Sequence, residues 1–192
     1  MQGSSANASV AEASDARLIS QVAHGDRHAF EALYRIYFPR LARFLNAMTR
    51  SVQLIEEIVN DTMLVVWQKA WTFDGSCKVS TWIFAIAYRK ARKAIKGLDQ
   101  PVDADPDLYE GDAAYEPEHE LELQRLQRAI GAALGELPAS QRAVVQLTYH
   151  HDMGYADIAD VMDCPVNTVK TRMFHARRRL RSLLAGQLEE SI

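Results

Sequence analysis

Asn167, Lys170, Thr171, Phe174, His175 and Arg178 recur at spacings of three and four, so on a 3.6-residue helix they share one face. An amide, a hydroxyl, an imidazole and a guanidinium on one face are the groups that read base edges in a DNA groove. Lys170, at the edge of that face, and Arg177 and Arg181 beside it are phosphate binders. Phe174 lies in the middle of this polar face, where it gains nothing without a partner such as a thymine methyl. Between Cys164 and Leu188 there are six Lys/Arg and no acid.

A second group of chemistry-bearing residues lies upstream. Asp74, Ser76, Lys78 and Ser80 form a polar loop, and Tyr88, Arg89, Arg92, Lys93 and Lys96 make a basic, aromatic-bearing face on the helix that follows. Cations for phosphates and rings or pockets for unstacked bases are what single-stranded DNA needs. A third group, Glu57, Asn60, Asp61, Leu64 and Gln68, with Trp67 at the border, places a leucine inside a polar ring, the pattern of a protein-docking patch. There is no Gly-rich phosphate loop, no nucleophile paired with a base and no metal triad, so the chain is expected to work by binding, without metal or cofactor and not as an enzyme. His150-His151-Asp152 does not make a metal site, because adjacent side chains on a helix point apart.

The elements that must hold these groups are all helical. Pro165 suits a first helical turn, and Val166, Val169, Met173, Ala176, Leu180 and Leu184 form the apolar stripe opposite the reading face. Ahead of it, Gly154 to Met162 reads as a short helix with Ile158, Ala159 and Met162 inward and Asp163 at a turn that needs a positive backbone angle. The pair reads as a helix-turn-helix, the plain alternative being two packed helices with a solvated basic face. Further upstream, residues 15–23, 28–48 and 53–71 read as helices. Gly25-Asp26 separates the first two, Pro39 interrupts the second, and Ile55, Ile58, Val59, Thr62 and Val66 turn inward on the third. Asp74-Gly75 marks a turn, and Ser80 or Thr81 can cap the next helix, on which Trp82, Ile83, Ile86 and Ala87 pack. Helical pattern returns near residue 118 with Leu121, Leu123, Leu126, Ile130, Ala133 and Leu134; Leu137-Pro138 ends it, and Ser140 can cap the helix of Val144, Val145 and Leu147.

A chain of 192 residues, 48% hydrophobic and 24% charged, suits one large or two small soluble domains. No apolar run approaches the roughly eighteen residues of a membrane span, and the small, polar first fourteen residues read as a loose tail, so no membrane insertion is expected and the chain should stay in the cytoplasm. Cys77 and Cys164 have neither disulfide-framework nor zinc spacing. The net charge of −3 hides a pattern: residues 75–98 hold six Lys/Arg and no acid, whereas residues 99–122 hold ten Asp/Glu and no Lys/Arg. Two cationic blocks flank an anionic bridge, which suits two nucleic-acid contacts joined by a segment that does not bind nucleic acid. The expected organisation is therefore an all-α chain of two small helical domains: a tail over 1–14, a first domain over 15–96, an acidic, Pro-bearing flexible linker over 97–117, a second domain over 118–185 and a tail over 186–192.

In order along the chain stand Gly25-Asp26-x-x-Ala29-Phe30, Glu56-Glu-Ile-Val-Asn-Asp61-Thr with Trp67, Phe73-Asp-Gly with Ser80-Thr-Trp82-Ile, Leu137-Pro-x-x-x-Arg142, and Tyr155-x-x-Ile158-Ala159 with Cys164-Pro-Val-x-Thr168-Val169-Lys170-x-Arg172. Together these resemble an extracytoplasmic-function (ECF) sigma factor of bacterial RNA polymerase, with sigma regions 2 and 4 only. The resemblance implies that Glu57, Asn60, Asp61, Leu64 and Trp67 dock on core polymerase at its clamp coiled coil, with the flap as a further partner. It implies that Asp74, Ser76, Lys78, Ser80, Tyr88, Arg89, Arg92 and Lys93 hold the single-stranded minus-10 element. Asn167, Lys170, Thr171, Phe174, His175 and Arg178 would read the duplex minus-35 element. An anti-sigma factor is implied as a partner by the family alone. The departures are Lys90-Ala91-Arg92, where such proteins often carry Asn, and His175, where arginine is frequent. The rival reading is a stand-alone two-domain helix-turn-helix regulator whose first half senses a ligand or partner.

Overall fold

The computed structural model describes the backbone of residues 3–97 and 117–189 and the side chains of residues 10–95 and 126–185. The predicted linker falls almost wholly outside the described residues, as do the side chains of Lys96, Leu121 and Leu123.

Four helices make the first half: α1 (Gly3–Ala23), α2 (Arg27–Asn46), α3 (Val52–Lys69) and α4 (Val79–Gly97), with a 3-10 turn at Ala70–Thr72 after α3. Gly25, at φ 84°, makes the turn after α1, and the Asp26 carboxylate then caps α2 by accepting from the backbone N–H groups of His28 and Ala29 at 2.8 and 3.1 Å. The helix runs on through Pro39, where Pro39 and Arg35 are both exposed and water can satisfy what the missing N–H leaves open. Ser51 caps α3 through the Leu54 N–H. Leu33, Tyr37, Leu41, Phe44 and Leu45 of α2 meet Ile58, Val59, Met63 and Val66 of α3 and Ile83, Phe84 and Ala87 of α4 in one fully buried layer. Tyr37 also donates to the buried Asp15 at 2.5 Å, fastening α1 onto α2. Burial, and then the Asp15 carboxylate, push that phenol far above its usual range.

The second half is α5 (Pro117–Gly135), α6 (Ala139–Tyr149), α7 (Tyr155–Met162) and α8 (Val166–Glu189). Among the described residues the protein is all-helical, as expected.

Local expectations needed correction. Residues 3–14 belong to α1, because a stretch of Ala and Ser with no Gly or Pro break after Gly3 has nothing to stop a helix. Ser80 and Thr81 do not cap α4: the helix begins at Val79, with the Lys78 carbonyl accepting from the Trp82 N–H at 3.1 Å. Ser140 likewise lies inside α6, which starts at Ala139 directly after Pro138. Leu126 and Ile130 follow the apolar pattern of α5 but are 53% and 40% exposed. At the other end α8 continues to Glu189, into the predicted tail.

The two halves are not held apart. α7 packs across α4, and buried residues of both halves belong to one continuous apolar cluster. His151, in the loop after α6, lies with its ring 4.7 Å from that of Phe84 and 6.3 Å from that of Phe44.

Candidate nucleic-acid and protein interfaces

The reading face is presented as the spacing required. Asp163 ends α7 in the left-handed conformation (φ 50°, ψ 57°), and the Cys164 N–H then bonds to the Ala159 carbonyl at 3.1 Å. That turn sets α8 against α7 with Val169, Met173 and Ala176 buried, leaving Asn167, Lys170, Thr171, Phe174, His175 and Arg178 all exposed on the far side. Phe174 is 63% exposed, its ring edge-on to that of His175 at 5.5 Å. A shallow hollow of about 290 Å³ beside this face is lined by Asn167, Thr171 and His175 together with Gln141 of α6. Two residues escaped the sequence pattern: Gln141, and Tyr149, whose hydroxyl accepts from the Arg177 guanidinium at 2.7 Å and so steadies one flanking cation. Both come from α6, and periodicity within α8 carries no information about its neighbour.

On α3, Glu57, Asn60, Asp61 and Leu64 are exposed, with Leu64 at 52%. Trp67 is half-buried, edge-on to Phe30 at 5.2 Å. Asn60 accepts from the Tyr34 hydroxyl and Asp61 from the Lys90 ammonium, each at 2.8 Å. These bonds fix two rim groups before any partner arrives.

The upstream loop and α4 differ from expectation. Asp74 turns the chain by accepting from the Ser76 N–H at 2.9 Å, with Gly75 at φ 76°; the Ser76 hydroxyl and then its N–H hold the exposed Asp74 carboxyl below its usual range. Ser76, Arg89, Arg92 and Lys93 face solvent, and Ser80 is half-buried. Tyr88 does not face solvent. At 5% exposure it is buried near Phe44, with Arg92 over its ring, and burial pushes its phenol above the usual value. The rest of the predicted basic face stays open, while α7 of the second half packs across α4. Asp157 of α7 ties the two together, accepting from the Lys78 ammonium at 2.9 Å and from the Thr81 hydroxyl at 3.3 Å.

His151 shares this seam, and its Nε2 is buried without a hydrogen-bond partner among the described residues. Burial first, then the positive charges of Arg40, His150 and Arg43, hold the imidazole down to about 4. Its folded value lies below its unfolded one, so the unfolded chain binds the extra proton between these values and stability falls as pH drops from 6.5 to about 4. We expect a loss of about 2 kcal/mol over that window, after allowing for solvent screening at a partly open site. His151→Phe should flatten this part of the profile. Equal pH slopes of unfolding free energy in both proteins would sink the assignment.

Residues 33–100 match Sigma-70 region 2, and residues 127–180 match Sigma-70, region 4. The ECF RNA polymerase sigma factor RpoE of Cereibacter sphaeroides is 34% identical over 161 residues, covering 82% of this chain and 87% of that protein. The chain belongs to the ECF sigma factors. A second member of the family, the ECF RNA polymerase sigma factor SigW of Bacillus subtilis, is 29% identical over 176 residues, covering 86% of this ECF sigma factor and 94% of SigW. Among solved structures, CnrH in complex with the cytosolic domain of CnrY superposes with a TM-score of 0.66 at 25% identity, covering 90% of this chain and 98% of that one. RpoE from Bartonella quintana, in complex with the anti-sigma factor NepR, shares the fold, with a TM-score of 0.62 at 23% identity over 81% of this chain and 96% of its own. The region 2 match over the first half decides against a stand-alone regulator, which would share only the helix-turn-helix. Among the described residues, no helix is long and apolar enough to cross a membrane.

Proposed function

We propose that this sigma factor works by binding at three separate surfaces and performs no catalysis of its own. Glu57, Asn60, Asp61, Leu64 and Trp67 dock α3 on the clamp coiled coil of core RNA polymerase. Asp74, Ser76, Lys78 and Ser80, with Tyr88, Arg89, Arg92 and Lys93 along α4, hold the unstacked minus-10 strand. Asn167, Lys170, Thr171, Phe174, His175 and Arg178 read the minus-35 duplex. The observation that carries this reading is the α8 face: six side chains of base-reading type, all exposed, opposite a buried stripe on the second helix of a helix-turn-helix.

Strand capture requires α7 to leave α4, since Lys78 is engaged by Asp157 and Tyr88 is buried. The working form on a promoter is accordingly an opened one, with regions 2 and 4 carried by the same polymerase. Tethering raises the effective concentration of each weak contact on the other's DNA site. An anti-sigma factor is the proposed inhibitory partner, in keeping with the complex of Bartonella quintana RpoE with the anti-sigma factor NepR. A cytoplasmic place of action follows from work on polymerase and DNA.

The test is run-off transcription with core polymerase from a cognate promoter, combined with Arg178→Ala. Loss of one base-edge contact should weaken minus-35 duplex binding by about 1–3 kcal/mol, roughly 5- to 150-fold. Capture of a pre-melted minus-10 strand by the same holoenzyme should be unchanged; equal loss of both would refute the division of labour.

A further inference from the structure

Trp71 is the most exposed large apolar side chain among the described residues, at 74%, and the docking reading of α3 does not use it. It lies in the 3-10 turn that follows α3, and Lys69, at φ −124°, breaks the helix between them. Helical spacing alone therefore could not assign Trp71 to a face. A hydrogen bond does: the indole N–H donates to the Gln68 carbonyl at 3.2 Å, folding the ring back onto the last turn of α3. Gln68 is exposed and one turn beyond Leu64.

We propose that Trp71 is the second apolar anchor of the α3 face, seated on the same helical surface of core polymerase that receives Leu64; this rests on the docking reading above. What brings Trp71 to this face is its bond to Gln68, which lies one turn beyond Leu64 on the exposed side of α3. The rim is acidic, with Glu56, Glu57 and Asp61 exposed, so the receiving helix is one with basic residues beside its apolar positions. A tryptophan already held in place loses little side-chain freedom on binding, and buried tryptophan is a frequent source of interface energy. The competing use, as a flat platform for a base of the melted strand, is disfavoured because the indole N–H is committed to the Gln68 carbonyl at the end of α3.

The experiment compares Trp71→Ala, Trp71→Phe and Leu64→Ala in the full chain for core polymerase affinity, thermal unfolding, and capture of a minus-10 single strand by holoenzyme at saturating sigma factor. Trp71→Ala should weaken core binding on the order of 30-fold. Trp71→Phe, which loses the bond to Gln68 but keeps a ring, should retain most of the affinity, and neither change should alter strand capture. Weakening by Leu64→Ala but not Trp71→Ala overturns this inference and leaves the docking reading intact. Core affinity unchanged in both overturns the two together. Strand capture that falls while core affinity holds makes Trp71 a base platform instead, and an affinity loss matched by a fall in unfolding temperature makes its role structural.

Discussion

Phe84→Ala is expected to lower the unfolding free energy by about 3–5 kcal/mol, a large part of the 5–15 kcal/mol typical of a folded domain. The side chain is fully buried, with the Phe44 ring at 5.3 Å, the His151 ring at 4.7 Å and the Arg40 guanidinium over its face at 5.7 Å. Truncation therefore opens a cavity where the first half meets the second, and both lose packing. All three tryptophans, Trp67, Trp71 and Trp82, lie in the first half, so their fluorescence reports that half, while far-ultraviolet circular dichroism reports every helix. In the parent protein the two signals should change together with denaturant; in Phe84→Ala they should separate, since the shared contact is what couples the halves. A loss below about 1 kcal/mol would mean that the seam collapses around the gap and contributes little.

Asp61→Ala combined with Leu64→Ala should weaken binding to core polymerase on the order of 100-fold while leaving the fold intact. Leu64 is half-exposed and contributes little to the chain's own core. Asp61 gives up only a largely exposed pair with Lys90, worth at most about 1 kcal/mol. A partner that desolvates both would lose an apolar anchor and a rim carboxylate at once. The measurement is titration of labelled protein with core polymerase, with the unfolding midpoint as control. Affinity within a few-fold of the parent would remove α3 as the docking element.

What the sequence disclosed and what it hid follow one physical division. Periodicity reports which face of a helix is covered by its own half. On that basis it puts Leu64 and Phe174 outward and Val169 and Met173 inward, as they stand in the structure, with Asp163 at the left-handed turn. Periodicity is silent about a second domain landing on a face that is already polar. Tyr88 has Arg89, Arg92 and Lys93 around it in sequence and yet is buried, with the Phe44 ring near and α7 packed across its helix. His151 was legible only as an unsuitable metal ligand; nothing local indicates that its ring fills the space beside Phe44 and Phe84. Thr81 looked like a cap because hydroxyls favour helix starts, whereas its acceptor, Asp157, lies 76 residues away. Leu126 and Ile130 fail in the opposite sense: apolar positions on a helix whose outer side has no cover within the described residues.

Asp157 is a carboxylate, and what it grips on α4 is a cation and a hydroxyl, the two kinds of group with which region 2 would hold a sugar-phosphate chain. On the proposed reading of the minus-10 surface, α7 would stand in for nucleic acid there. If the strand uses Lys78 and Thr81, occupancy by one excludes the other, and reciprocity governs both directions: a ligand that favours the clasped arrangement must weaken strand affinity by the factor by which the strand weakens that ligand. An inhibitor would then have no need to touch the DNA-binding groups, because strengthening a contact the chain already makes would suffice.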